Sequence, residues 1–454
     1  MKKLFSYTLL TLAVLALSGC EGTDLDGLDP INAVPADGAI NNLKSASAAM
    51  AGLYHQVQMI FNEEEIISEP SYTAYLGMAQ TYSDEAIYTG ADATAREYDE
   101  LNVRPSNTVN STIFSVFYRI INTANSLVVL IPEVDDITLS QDQINSFVGE
   151  ARMIRALCYF YLTSYYGDVP LVITPTIEVG DELNVSNSTQ SNIYSQIIDD
   201  LKFAESNITE TDTKRATSAA ASALLARVYL YQQDWNNALS HAEKNIGGTF
   251  DLTTIPYMED EIFYIGYATA DGNIINFYYG PGAPVGGNHN IEPSTKFLSS
   301  YEAGDLRKDL SVDESLSQVS TPYVIKYDDF AAGASGTGTD PIMLFRYAEQ
   351  LLIAAEAAAE NMDFTKANLY YNQVRSRASL PSQTLDATNF EDLILQERFI
   401  ELSFEGPHRW LDLKRRGKAT TEISGYQSCN NVWPIPVREI DRNPNMVQNN
   451  CCDC

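Results

Sequence analysis

The run GEARMIRALCYFYLTSYYGDVPL at residues 149–171 leaves few alternatives to a long helix. Ile154, Leu157, Cys158, Tyr161, Leu162 and Tyr165 recur at steps of three and four residues, which gathers them on one face of an α-helix. Gly167 stands where a helix C-terminus favours a residue with positive φ, and Pro170 cannot extend the hydrogen-bond ladder. An apolar stripe of this width has to be covered, so the chain must supply further elements that pack on it.

Two more helical stretches share one frame. In ALLARVYLYQQDWNNALSHAEKNI, Leu225, Val228 and Tyr229 precede a turn, and Trp235, Ala238, Leu239 and Ala242 follow it. In LLIAAEAAAENMDFTKANLYYNQVRSRASLP the same frame gives Ala355 and Ala358, then Phe364 and Ala367. The step from Ala226 to Trp235 equals that from Ala355 to Phe364, and an Asp precedes each aromatic. The pattern resembles tetratricopeptide packing, in which small residues let paired helices approach and an aromatic fills the gap. The units lie about 130 residues apart instead of the roughly 34 of a tandem array. The expectation is therefore a mainly α chain: one large helical domain built on tetratricopeptide-like pairs, with long irregular loops and a few short β pieces. The pairs are read as a scaffold rather than a complete solenoid.

Between and before these units the texture changes. Residues from about 249 to 340 carry Gly and Pro clusters, YYGPGAPVGGNHN and AAGASGTGTDP, among short β-like pieces such as EIFYIGY and PYVIKY. Residues Ser68 to Asn107 are similar, with YTAYLGMAQTYSDEAIYTG between two helices. Long irregular segments within a compact domain are usually functional surface or disorder, so these two stretches are the predicted ligand face.

The N-terminus reads as an export signal. Lys2 and Lys3 are followed by the apolar run Leu4 to Leu17 and by Ser18-Gly19-Cys20. The apolar run is shorter than the ~20 residues needed to cross a bilayer. Leu-Ser-Gly-Cys resembles a bacterial lipobox, so residues 1–19 are predicted to be removed and Cys20 to carry lipid. The acidic, Gly- and Pro-containing stretch that follows reads as a flexible tether over residues 20–40. Residues 41–454 form the predicted binding domain, with an N-terminal part of about 41–248 and a C-terminal part of about 249–454.

Charge narrows the partners. The formal net charge is −31 over 454 residues. Such a surface repels nucleic acid and anionic membranes, so neither is expected as a partner beyond the lipid anchor itself. Of the cysteines, Cys158 lies on the apolar helical face. Cys429 with the closing Cys451, Cys452 and Cys454 allows a disulfide to one tail thiol, an unpaired tail or a metal pair, the first being favoured for an exported chain.

Five ordered blocks carry a wider resemblance: GEARMIRALCYFYLTSYYGDVPL, FRYAEQLLIAAEAAAE, LYYNQVRSRASLP, LQERFIELSFEGPHRWLDLKRRG and VWPIPVREIDRNPNMVQN. Together with the lipobox they resemble the SusD/RagB family of nutrient-binding outer-membrane lipoproteins. Pro407 with His408, an added residue before Arg409, and the cysteine-rich end depart from the pattern. The resemblance implies a non-enzymatic lipoprotein on the outer leaflet that binds an oligosaccharide, or sometimes a peptide. It also implies that the protein acts as a lid over a TonB-dependent transporter of the SusC type and delivers its ligand there. It implies no cofactor and no metal.

A receptor for neutral glycans needs aromatic faces beside amides, carboxylates or Arg. Tyr72, Tyr75, Tyr88, Arg96, Tyr98, Tyr278, Tyr279, Asn288 and His289 of the two loop regions are the candidate ligand residues. Replacing Tyr278 and Tyr279 by Ala is expected to weaken binding with little change in melting temperature. Glu397 and Glu401 share a helical face, a spacing that favours ion pairs over acid–base work. H-E-x-x-H, G-x-S-x-G and P-loop signatures are missing from the sequence. The remaining alternatives are a basic-peptide receptor, a glycoside hydrolase using Asp84 and Glu85 with a distant partner, and a purely structural surface protein.

Overall fold

The computed structural model describes residues 40–60, 75–176, 180, 184–247, 261–270, 272–282, 286–313, 315, 321–329, 337–452 and 454. Cys20, the tether and Tyr72 lie outside the described residues. Ten helices form the frame: α1 (Leu43–Met59), α2 (Thr108–Leu130), α3 (Gln141–Tyr166), α4 (Gln190–Asn207), α5 (Ser218–Tyr231), α6 (Trp235–Lys244), α7 (Tyr347–Glu360), α8 (Phe364–Arg377), α9 (Phe390–Glu401) and α10 (His408–Arg415). Four strands position the loops: β1 (Ala86–Tyr88), β2 (Glu261–Ile265), β3 (Ile291–Pro293) and β4 (Ile342–Arg346). β1 pairs antiparallel with β3, and β2 antiparallel with β4 through a bulge.

Helices α2 to α8 stand in one row, each packed on the next. The two units recognised in the sequence become neighbours, because α6 packs on α7 although about 100 residues separate them. The expected scaffold is thus a longer continuous stack, interrupted by one large insertion. Both turns are built alike: Asp234 N–H donates to Tyr229 O and Asp363 N–H to Ala358 O, each at 2.9 and 2.8 Å respectively. Gln233 and Met362 occupy the left-handed region with φ of 59° and 62°, the position that usually takes glycine. Asp234 and Asp363 then cap the following helices by accepting from the N–H groups of Asn237 and Lys366.

α3 is buried more completely than its stripe suggests. Every residue from Met153 to Tyr166 is buried, because α2, α4, α5 and the C-terminal segment enclose it. Ser140 and Gln143 form a capping box at its start, and Gly167 ends it with φ of 78°. Tyr165 at its end stacks on Trp433 and Trp410, with ring centroids at 4.5 and 5.6 Å. Since Trp410 lies on α10 and Trp433 just beyond the turn Ser428–Asn431, this aromatic stack ties α3 to the C-terminal segment. Pro407 sits at the start of α10, so the added residue is absorbed before the first turn and Arg409 still reaches Asp84 at 2.7 Å. Cys429 is bonded to Cys452 with their Cα atoms 5.0 Å apart, and Cys451 is paired with Cys454. The favoured reading of the tail as disulfide-bonded therefore holds in the structure.

Buried charge joins the elements. Arg155 of α3 clamps Asp200 of α4 at 2.6 and 2.8 Å, and Arg227 of α5 clamps Glu349 of α7 at 2.6 and 2.7 Å. Glu401 at the end of α9 meets Arg307, Arg346 and Arg377. Bidentate guanidinium–carboxylate geometry is what allows such pairs to lie in the core.

Candidate functional site

The structure brings the two predicted loop regions together. β1 and β3 pair across them, Thr89 N–H donates to Asn290 O at 2.8 Å, and Thr89 Oγ1 donates to His289 O at 2.7 Å. The aromatic platforms, however, turn inward. Tyr278 and Tyr279 lie on one turn of helix, Ile275–Tyr279, and both are buried. Tyr279 donates its hydroxyl to Gln80 Oε1 at 2.5 Å and stacks on Tyr327. Tyr98 sits edge-on to Trp433 at 4.9 Å, and Tyr88 is buried with its hydroxyl accepting from Asp92 N–H. These four tyrosines are core residues, and the expectation that Tyr278 and Tyr279 can be lost without cost to stability is corrected. Tyr75 opens a short helix, Tyr75–Thr81. Of the other candidates, Arg96 and Asn288 are exposed, and Arg96 donates to Gly90 O at 2.5 Å. His289 is held with φ of 51°, its Nε2 lying 3.3 Å from Pro322 O and its ring edge-on to Tyr323.

A concave site with aromatic lining lies at the edge of the insertion instead. It is a cleft of about 450 Å³ between α1, the turn at residues 212–215 and the end of β2. Its principal side chains are Tyr54, His55, Gln58, Lys214, Arg215 and Tyr267. The volume falls in the range of small-ligand sites, roughly 300–1,000 Å³. The residues reach it for local reasons. Asn42 and Ser45 form a capping box that starts α1, and Ala46, Met50, Leu53 and Val57 bury one stripe of that helix. Ser47, Ala51, Tyr54, His55 and Gln58 form a second stripe at the same helical spacing, and it faces the cleft. That second stripe, polar and aromatic, is the sequence signal that marks α1 as lining a cleft. Lys214 and Arg215 lie on a turn whose Thr213 carbonyl accepts from Tyr264 N–H at 3.1 Å, fixing the turn to β2.

The floor is preorganised. Glu150 of α3 accepts from Tyr54 Oη at 2.6 Å and from Arg215 Nη2 and Nε at 2.8 and 3.0 Å. Tyr54 Oη also accepts from Ala216 N–H at 2.8 Å. The Arg215 guanidinium lies over the rings of Tyr54 and Phe147, at 5.6 and 5.9 Å. Burial pushes the Glu150 carboxyl up to about 7, against the pull of Arg215 and Tyr54. On the opposite wall Gln58 Nε2 donates to Gly266 O at 2.8 Å, and Tyr267 Oη donates to Gln58 O at 3.1 Å. His55 Nδ1 is 3.3 Å from Gln58 Oε1. These bonds hold flat rings and polar groups in place before any ligand arrives, which lowers the ordering cost of binding.

The carboxylates weighed for catalysis are engaged elsewhere. Asp84 is clamped by Arg409 and paired with Lys296, and Glu85 is buried and accepts from Phe404 N–H. Burial raises the Glu85 carboxyl to about 8, whereas Asp84 is held below its usual range by Arg409 and Lys296 despite its burial. Glu397 contacts Arg307 and Arg375, and Glu401 contacts three arginines.

The fold is a stack of paired helices with a preformed, partly aromatic cleft at its edge. Comparison with known proteins narrows the class. A profile described as "SusD family" matches residues 314–451, and one described as "Starch-binding associating with outer membrane" matches residues 41–230. The chain is 26% identical over 432 residues to SusD-like protein P2 of Formosa agariphila, covering 80% of this chain and 84% of that one. Among solved structures it resembles a laminarin-binding SusD-like protein, with TM-score 0.77 and 24% identity over 90% of this chain and 99% of that one. It also resembles surface glycan-binding protein A of Bacteroides fluxus, with TM-score 0.76 and 20% identity over 90% and 99%. The chain belongs to the SusD/RagB family.

Proposed function

We propose that this protein is a lipid-anchored, outward-facing outer-membrane protein that binds an oligosaccharide in the α1–β2 cleft. It then delivers that ligand to a partner TonB-dependent transporter of the SusC type, over which it closes as a lid. The observation that carries the binding half is the cleft itself: Tyr54 and Tyr267 line it beside an amide, an imidazole and two cations in about 450 Å³. Sugars present C–H faces and hydroxyl edges, and stacking with flanking hydrogen bonds recognises both. The matched profile associates the family with the outer membrane, and the names of the laminarin-binding and glycan-binding relatives point to the same ligand class. Arg96, Asn288 and His289, on the β1–β3 face, remain candidates for a secondary contact. No chemistry on the sugar is proposed, since the carboxylates that could serve are paired in the fold.

For delivery, the lipobox at Cys20 supplies the anchor and residues 20–40 the tether on which a lid would swing. The test is extraction of the tagged, full-length protein from membranes of its own bacterium. A large β-barrel transporter should co-purify, and Cys20→Ala should abolish fatty-acid labelling and shift the protein to the soluble fraction. Recovery without any barrel partner, or continued labelling of the Cys20→Ala protein, contradicts this reading.

A further inference from the structure

Two side chains that line the cleft, Tyr54 and Arg215, hang on one carboxylate that lies out of a ligand's reach. Glu150 of α3 is 1% exposed and sits beneath both. Its Oε2 accepts from Tyr54 Oη at 2.6 Å and from Arg215 Nε at 3.0 Å, and its Oε1 accepts from Arg215 Nη2 at 2.8 Å. All three partners donate, and Tyr54 Oη already accepts from Ala216 N–H. The arrangement is therefore complete only with an ionised carboxylate. A proton on either oxygen displaces a donor that is already there.

The backbone around this carboxylate is fixed. α3 is packed on α2, α4 and α5, Thr209 N–H donates to Ser146 Oγ at 3.0 Å, and a Cβ on Gly149 would come within 2.8 Å of Ile208 Cγ1. The start of the 208–217 segment is thus pressed onto α3, and Thr213 Oγ1 ties its middle to Glu261 Oε1 at 3.3 Å. Between these points the Arg215 side chain is shared by two carboxylates, Glu150 below and Glu210 on the outer side, 2.9 Å from its Nη1. Ionised Glu150 draws the guanidinium over the Tyr54 and Phe147 rings. Neutral Glu150 leaves Glu210 as the anion with which Arg215 still pairs.

We propose that Glu150 is the positioning residue of the cleft: ionised, it holds the Tyr54 ring and the Arg215 guanidinium where a sugar packs on them, and protonated, it releases Arg215 toward Glu210 and weakens binding. This rests on the glycan reading above and adds a pH dependence to it. The groups that face Glu150 are Tyr54 from α1 and Arg215 and Glu210 from the 208–217 segment. Burial is the strongest influence and raises the carboxyl to about 7; Arg215 and Tyr54 pull it down, and Glu210 pushes it up. The ionised share therefore falls as the pH drops through neutrality.

The test is calorimetric titration of the detergent-solubilised full-length protein with a laminarin, a mannan and a xylan oligosaccharide, all neutral, at about pH 8 and about pH 6. The best-binding probe should bind wild type about fivefold more weakly at the lower pH. Glu150→Gln should bind it about fivefold more weakly than wild type at the higher pH, with no further loss at the lower one. Tyr54→Phe keeps the ring but not the hydroxyl, and it too should lose affinity at the higher pH, which decides the matter where Glu150→Gln does not fold. An effect through the His55 imidazole is separated by His55→Gln, which should leave the fall with pH in place. A wild type whose affinity does not change with pH, a Glu150→Gln protein that keeps the wild-type fall, a Tyr54→Phe protein with wild-type affinity, or loss of the fall in His55→Gln overturns the inference while the glycan reading stands. If none of the three probes binds at either pH, the glycan reading falls and takes this inference with it.

Discussion

Replacing Glu401 by Gln should lower the unfolding free energy by roughly 3–5 kcal/mol, the range seen when one partner of a buried ion pair is removed. The reason is a linked network in the core. Asp305, Glu302, Glu397, Glu401 and Glu405 face Arg307, Lys326, Arg346, Arg375 and Arg377, and these ten groups balance. Neutralising Glu401 leaves three guanidinium groups around a side chain that can no longer offset their charge, at a residue only 1% exposed. Burial by itself would raise the Glu401 carboxyl, but Arg377, Arg346 and Arg307 hold it well below the usual carboxylate range. Because its folded pKa is depressed, its contribution is present above the unfolded value of about 4.3 and is lost as the pH falls below it. Urea unfolding followed between about pH 3 and 7 should therefore show wild type losing stability toward acid, with the Glu401→Gln protein less stable at neutral pH and its acid dependence flatter. Equal stability of the two proteins at neutral pH would show that the network is not a net support.

The second large effect concerns Tyr279, whose place in a Gly-rich stretch suggests exposure and whose ring is buried. Tyr279→Ala should cost roughly 3–5 kcal/mol, as large-to-small aromatic changes in a core do. The ring is fully buried between Tyr327 and Phe404, and its loss also strands Gln80, whose Nε2 is without a hydrogen-bond partner already. A melting temperature within a degree or so of wild type would return Tyr279 to the surface and reopen the β1–β3 face as the ligand platform.

Periodicity made the frame readable. The stripe on α3, the Asp-aromatic frame of α5–α6 and α7–α8, and the short β pieces Glu261–Ile265 and Tyr323–Val324 all occur where spacing and propensity put them. What spacing could not show was neighbourhood. The pairing of α6 with α7 closes over a long insertion, and α2 to α4 lack the small-residue and aromatic frame that marks the other pairs. The site suffered from the same limit. A tyrosine in a Gly-rich loop looks exposed until a distant partner claims it: Gln80 for Tyr279, Trp433 for Tyr98. Conversely, Tyr54 and Tyr267 come to line one cleft because α1 and the end of β2 meet through Gln58, a contact that spans 208 residues. The ion pairs were nearer to hand, since Glu397 and Glu401 at helical spacing already argued for structure over catalysis.

If an oligosaccharide binds between α1 and β2, Tyr267 is the side chain whose loss it should feel most directly. Tyr267 forms a half-buried wall of the cleft, and its ring also packs against the edge of the core. Calorimetric titration of wild type and Tyr267→Ala with the best-binding oligosaccharide, at a temperature where both proteins are folded, should show affinity falling about tenfold or more. Undiminished affinity in the Tyr267→Ala protein, or binding of basic peptides in place of any oligosaccharide, would contradict the account.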